Sequence, residues 1–237
     1  MNKKSFFKKS RTVFEQHKNT YRQKIQKSIN FAGKDLDFYT EAKVSRLLSL
    51  TLKFLGNPNQ LSILDVGCGI GITDFYLTGK YKKVYGIDLS RGVVKKAAAL
   101  NPQASYKSYG GKRLPYSTNS MDVTFAICVM HHVVPEELTQ FCEEMMRVTK
   151  KGGLVIVFEH NPLNPLTRYA VSQCDLDEDA QLLRMREVSD MLTSSKGLIL
   201  ERRYILFMPF YGKLFSYVDN LLNGVPLGAQ YLVAARK

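Results

Sequence analysis

An apolar run, Leu61-Ser-Ile-Leu-Asp-Val66, breaks into glycines at alternate positions, Gly67, Gly69 and Gly71, and resumes with helical spacing over Ile72–Leu77. A strand that turns through glycines straight into a helix opens a βαβ unit, which commits the chain to a mainly parallel sheet. Glycine lets the backbone turn sharply and lets a ligand approach without meeting a Cβ atom, and the free N–H groups of the helix start favour an anionic group. The next β-rich run, Lys83–Asp88, ends in an acid 23 residues after Asp65. An acid at that strand end can accept hydrogen bonds from both hydroxyls of a ribose. The dinucleotide pattern GxGxxG would require a third glycine at Ile72; this chain has GxGxG instead, with Asp65 two residues before its first glycine.

The rest of the chain alternates in the same way. Leu36 to Leu55 predicts a helix closed by Gly56-Asn57-Pro58. Strands are expected at Leu61–Val66, Lys83–Asp88, Ala104–Ser108, Met121–Cys128, Gly153–Phe158, Leu198–Phe207 and Ala229–Ala235. Pro135 to about Lys150 reads as a helix. Its start carries Pro135, Glu136 and Glu137, its apolar face is Leu138, Phe141, Cys142, Met145 and Val148, and Lys-Lys-Gly-Gly closes it. Gly212–Gly224 has helical periodicity, with an apolar stripe of Tyr211, Leu214, Phe215, Val218, Leu221 and Leu222. The expected fold class is α/β: a Rossmann-like, seven-stranded, mainly parallel sheet with helices on both faces and an antiparallel C-terminal strand. Residues 1–35 read as a basic N-terminal arm or helix. Residues 36–237 read as one domain with a substrate-side insertion at about 160–195.

Charge and cysteine usage narrow the classes further. The net charge is +13, but residues 1–30 hold nine Lys/Arg against Glu15 alone. Such an arm could serve an anionic membrane surface, a nucleic acid or an acidic substrate, or it could be a solvated terminus. Cys68, Cys128, Cys142 and Cys174 contain no CxxC pair, so neither a structural zinc site nor a disulfide framework is expected, and a reducing, cytoplasmic setting fits.

The glycine turn with Asp65 resembles motif I of the class I S-adenosylmethionine-dependent methyltransferases. The resemblance continues through Gly86-Ile-Asp88-Leu-Ser90, Arg113-Leu-Pro-Tyr116, Ser120-Met-Asp-Val123, Val129-Met-His-His-Val133 and Lys151-Gly-Gly-Leu154. Glu159-His-Asn-Pro-Leu-Asn-Pro165 and Pro226-Leu-Gly-Ala-Gln-Tyr231 look like the bacterial, type 11-like group acting on small molecules. The resemblance implies S-adenosyl-L-methionine as cofactor. Gly67, Cys68, Gly69 and Gly71 would surround its methionine part and Asp65 would orient that loop. Asp88 would take the ribose, Leu89 would pack on adenine, and Gly111, Ile127 and Cys128 would add further contacts. The sequence departs from the family at Gly110, where an acid commonly precedes the Leu-Pro turn.

Methyl transfer from a sulfonium is chiefly a matter of alignment, and an oxygen acceptor gains from a base. His131 and His132 follow the fourth strand, at the edge where parallel sheets place ligands, and one of them is expected to face the pocket. Glu159 and His160 follow the fifth strand at the same edge; they could orient that pair or bind the acceptor. No metal is expected: the run Asp175-Leu-Asp-Glu-Asp179 fits no calcium-loop pattern and reads as acids opening a helix. The implied activity is methylation of a small-molecule acceptor, O-methylation of a sugar or secondary metabolite. A nucleic-acid methyltransferase is disfavoured, because Cys128-Val-Met-His-His132 stands where base-amino enzymes carry Asn/Asp-Pro-Pro-aromatic. A non-catalytic, methyltransferase-like binding module remains the alternative of a different class, and the oligomeric state is left open.

Overall fold

The computed structural model describes residues 12–207 and 224–237. The apolar stripe expected between Tyr211 and Leu222 therefore lies outside the described residues. Seven strands form one sheet: β1 (Ser62–Val66), β2 (Lys83–Asp88), β3 (Ser105–Ser108), β4 (Met121–Ile127), β5 (Thr149–His160), β6 (Leu198–Ile205) and β7 (Gln230–Arg236). Their order is β3-β2-β1-β4-β5-β7-β6. The first five pair in parallel, and β7 lies antiparallel between β5 and β6. The expected α/β class, strand count and antiparallel C-terminal strand are all present.

The chain order runs outward from β1 to β3 and then jumps back to β4 on the other side of β1. The C-terminal ends of β1 and β4 therefore flank a crevice where connections diverge, the place where open α/β sheets bind ligands. Helices cover both faces. On one side, α2 (Leu36–Leu55) and α3 (Ile72–Leu77) bring Val44, Leu47, Leu50 and Leu77 against Ile63, Phe125, Ile156 and Leu232. On the other, α5 (Leu138–Val148) and α7 (Met185–Ser194) bring Phe141, Met145, Val188 and Leu192 against Leu64, Ala126, Val157 and Tyr231. Between these come α4 (Arg91–Leu100), which packs on β2 and β3, and α6 (Pro165–Ser172); α1 (Tyr21–Ile29) precedes them all. Among the described residues no helix is long and apolar enough to cross a membrane.

Two sequence expectations are corrected. The helix beginning at Pro135 ends at Val148 rather than near Lys150, because Thr149 already pairs with Met121 as the first residue of β5. The Thr149 hydroxyl, fully buried, donates to the carbonyl of Met145 at 2.7 Å and so seals the junction. The acids from Asp175 to Asp179 open no helix: they lie in turns, and α7 begins only at Met185.

Phe125 sits in β4 beside Asp65 of β1 and Ile156 of β5 and has no solvent exposure. Truncating such a ring removes its apolar transfer energy and leaves a cavity. Phe125→Ala should lower stability by about 3–5 kcal/mol, read as a lower urea midpoint with an unchanged denaturant slope.

Candidate active site

A cavity of about 550 Å³ opens at the C-terminal ends of β1, β2, β4 and β5. Its lining includes Asp65, Gly67, Cys68, Asp88, Leu89, Gly111, Ile127, Cys128, His132 and His160, all expected from the sequence. Gly69 and Gly71 shape the loop from behind without lining the cavity, and Gly110 is likewise absent from the lining.

The glycine turn is built by backbone necessity. Gly67 has φ +85°, and a Cβ there would lie 2.5 Å from Val129, so only glycine lets β1 and the segment after β4 approach this closely. Gly71, with φ +78°, precedes α3, and a Cβ on it would meet the Asn101 amide at 2.6 Å. Asp88 holds the loop from the neighbouring strand: one oxygen accepts the Gly69 N–H at 3.1 Å and the other the Ser90 N–H at 2.9 Å. Each oxygen keeps a lone pair for a ligand hydroxyl. Burial raises the Asp88 carboxyl, and the amides of Ser90 and Gly69 act against that rise. Ser90 caps α4 through its own hydroxyl, which accepts the Val93 N–H at 3.2 Å.

Asp65 is 3% exposed and its Oδ1 has no hydrogen-bond partner. Burial, together with the facing Asp74, pushes its carboxyl well above the ordinary range. An orphaned acceptor beside a glycine loop fits a cationic ligand end, and Asp88 one strand away fits a ribose. The residues present therefore fit S-adenosylmethionine, whose ammonium and sulfonium groups are cationic and whose adenosine carries two ribose hydroxyls.

The other end of the cavity is polar and dense. The Glu159 carboxylate at the end of β5 is fully buried. Its Oε1 accepts the backbone N–H groups of Val129 and Met130 at 2.9 and 2.7 Å, and its Oε2 takes His131 Nδ1 at 2.7 Å. Residues 130–132 form a single 3-10 turn rather than extended backbone, so the two histidines do not point to opposite faces. Both converge on Asp177: His131 Nε2 lies 3.4 Å and His132 Nε2 3.3 Å from its Oδ1. His132 lines the cavity, whereas His131 is buried beneath it.

Electrostatics separate the three imidazoles. Burial opposes charge on His131, but Glu159 and Asp177 overcome it and lift the ring to about 10. Burial and the neighbouring His131 lower His132, and the same pair of causes lowers His160 to about 4. Asp177 is held well below its usual range by His131 and His132 despite the cost of burial.

Three contributors escaped sequence reading: Phe14, Tyr21 and Asp177. Phe14 packs edge-on against His132, with ring centroids 5.3 Å apart, and Tyr21 stands where a side chain on Gly69 would go. Glu15 accepts hydrogen bonds from the Ser90 hydroxyl and, at 2.8 Å, from the Gly92 N–H. Residues 12–29 thus cover the cleft. Only the isolated Glu15 within a basic arm offered a signal for this.

Residues 64–157 match the model of a family described as Methyltransferase domain. Those residues are a methyltransferase domain. The chain is similar to norajmaline N-methyltransferase of Rauvolfia serpentina, 29% identical over 140 residues that cover 53% of this chain and 47% of that protein. It is 27% identical to a malonyl-[acyl-carrier protein] O-methyltransferase of Hamiltonella defensa over 192 residues, 81% of this chain and 70% of that one. The chain spans less than half the length of three curated relatives it matches, 47%, 44% and 33% of them. Among solved structures, a possible histamine N-methyltransferase from Thermotoga maritima has the same fold, with TM-score 0.66 and 18% identity over 95% of this chain and 99% of that one. The matched residues run from within β1 to within β5 and include Asp65, Asp88, His131 and His132. Glu159, His160, Asp177, Gln230 and the N-terminal cover lie outside them.

The Lys18 ammonium, with the Ser90 hydroxyl and Gly92 amide, holds the Glu15 carboxyl at about 2. A group depressed from 4.5 in this way stabilises the docked segment above about pH 4.5 and ceases to do so as pH falls toward 2. Its side chain is partly solvent-exposed, which discounts these bonds to about 1 kcal/mol. Glu15→Ala at neutral pH should speed amide hydrogen exchange of residues 12–29 roughly five- to tenfold. Exchange in β1 and β4 should be unchanged.

Proposed function

We propose that this chain transfers the methyl group of S-adenosylmethionine to a small-molecule acceptor bound in the same cavity. The observation that carries this reading is continuity. One cavity joins the Asp65–Gly67–Asp88 end, suited to the cofactor, to the Cys128–His132–His160 end, suited to a polar acceptor. When bound, the cofactor supplies an electrophilic methyl on a sulfonium. The chain's own contribution is alignment and exclusion of water, with Phe14 and Tyr21 covering the cleft and Ile127 and Cys128 at the end of β4 forming its floor.

In this reading His132 is the base. It lines the cavity, and its Nε2 lies 3.3 Å from Asp177 Oδ1, so that the carboxylate favours a proton on Nε2 and Nδ1 is the nitrogen that would take a proton from an acceptor hydroxyl. His131 and Glu159 are positioning residues: the first is buried away from the cavity and the second fixes the turn that carries both histidines. His160, beside Gln230 at 3.4 Å, faces the cavity as an acceptor-binding group. The named relatives methylate nitrogen in one case and oxygen in another, so the polar end argues for an oxygen acceptor on its own chemistry, a sugar or secondary-metabolite hydroxyl.

Asp88→Ala should weaken S-adenosylmethionine binding at least tenfold by calorimetry, because charged hydrogen bonds contribute about 1.5–3 kcal/mol each. Unchanged affinity in a folded variant would refute the cofactor site. With a panel of hydroxylated acceptors, His132→Ala should lower kcat by about 10²–10⁴-fold while cofactor affinity stays within twofold. Full turnover by His132→Ala would assign catalysis to alignment alone.

A further inference from the structure

Three groups, His131, His160 and Asp177, form an arrangement that the alignment of a methyl group does not require. His131 offers a buried Nε2 that makes no hydrogen bond, and its nearest charged neighbour is Asp177 Oδ1 at 3.4 Å. One ligand atom from each of His131, His160 and Asp177 lies within 4.8 Å of the other two. His160 and Asp177 both line the cavity. We propose that His131, His160 and Asp177 bind a divalent first-row transition metal ion of the zinc, manganese or iron(II) type.

Two imidazoles and one carboxylate are a donor set suited to such ions, and three protein ligands leave coordination positions open. Calcium and magnesium, which take oxygen ligands, fit it poorly. The support around the set is of the kind metal sites require. His131 gives its Nδ1 side to Glu159 at 2.7 Å, which fixes the ring and leaves Nε2 as the ligand atom. Glu159 is itself locked by two backbone amides, so the ring is held before an ion arrives. Glu159 and Asp177 bring two negative charges to a buried region, matching the charge of a dication; Lys43 on the cavity wall opposes part of that field.

The spacing is close to what binding needs. Ligand atoms about 2.0–2.2 Å from one ion stand roughly 3–4 Å apart, so a separation of up to 4.8 Å closes with side-chain rotations of His160 or Asp177. The open positions would face the cavity, where an acceptor oxygen or nitrogen can occupy one. The acceptors favoured are therefore those with two adjacent donor atoms, such as a vicinal diol or a hydroxy-carbonyl group. The site shares His131, His160 and Asp177 with the proposed acceptor end but uses none of the residues assigned to the cofactor, so metal binding itself does not rest on the methyl-donor reading.

The test is a titration of untagged, chelator-treated full-length chain with zinc, manganese and magnesium chlorides by calorimetry, with metal content of the product measured after dialysis. One equivalent of zinc or manganese should bind more tightly than about 10 µM, with magnesium at least tenfold weaker. Asp177→Asn and His160→Asn, checked for folding by circular dichroism, should each weaken binding by at least a hundredfold. Glu159→Gln should weaken it about 10–100-fold. Cobalt(II) bound to the wild type should show an absorption spectrum that both ligand variants lose. Absence of binding to the wild type at 1 mM metal would overturn the proposal, as would unaltered binding in both ligand variants or a preference for magnesium. S-adenosylmethionine titrated into the same chelated sample reports the methyltransferase reading separately, so each can fail alone.

Discussion

The buried carboxylate of Glu159 joins what the sheet alone would leave apart. It ends β5, yet its two oxygens reach the turn after β4, where they accept two amides and one imidazole. An unpaired carboxylate with no solvent exposure would cost several kcal/mol, so the turn must close on it whenever the sheet forms. That closure places His131 beneath the cavity and His132 on its wall. It also creates the electrostatic well into which Asp177 folds back from the segment following α6.

This anchoring ties the histidine turn to the central sheet, while the cover of the cavity is held more lightly. β4 and β5 are buried central strands whose pairing fixes Cys128 and Glu159 relative to each other. Cys128 takes φ +55°, uncommon for a side-chain-bearing residue, and its N–H donates to the Phe158 carbonyl at 2.8 Å. The N-terminal cover is held instead by a few polar ties: Glu15 to Ser90 and Gly92, Arg22 to Asp37, and Lys24 to Asp175. Such ties are individually weak at a partly exposed surface. Weakly tied elements over a preformed cavity suit the proposed methyl transfer, in which a cofactor and an acceptor would both have to enter and leave.

Much of the architecture was legible because it rests on short-range chemistry. The period of apolar residues, Pro135 and glycine-bearing turns marked every strand of the sheet, and Leu36–Leu55 and Lys83–Asp88 were bounded as observed. The end of the Pro135 helix was misplaced because Lys150 and Lys151 look like a helix C-terminus locally, whereas pairing of Thr149 with Met121 decides the matter from elsewhere in the chain. The acidic run from Asp175 read as a helix start for the same reason: nothing near it in sequence reveals that two imidazoles more than forty residues upstream will claim Asp177.

The sequence by itself determined the α/β class, the glycine turn after β1, and Asp65 and Asp88 as its acidic neighbours. These follow from backbone stereochemistry and from strand ends that a parallel sheet must gather along one edge. Only the tertiary structure decided which histidine faces the cavity, that Glu159 orients the histidine turn rather than lining the cavity, and that Phe14 and Tyr21 roof the site. Each of those outcomes is a contact between segments distant along the chain, such as Glu15 with Ser90 or Lys24 with Asp175. Residue type and spacing carry propensities over a few turns or one strand, while contacts of that range depend on the path the whole chain takes once its core is buried.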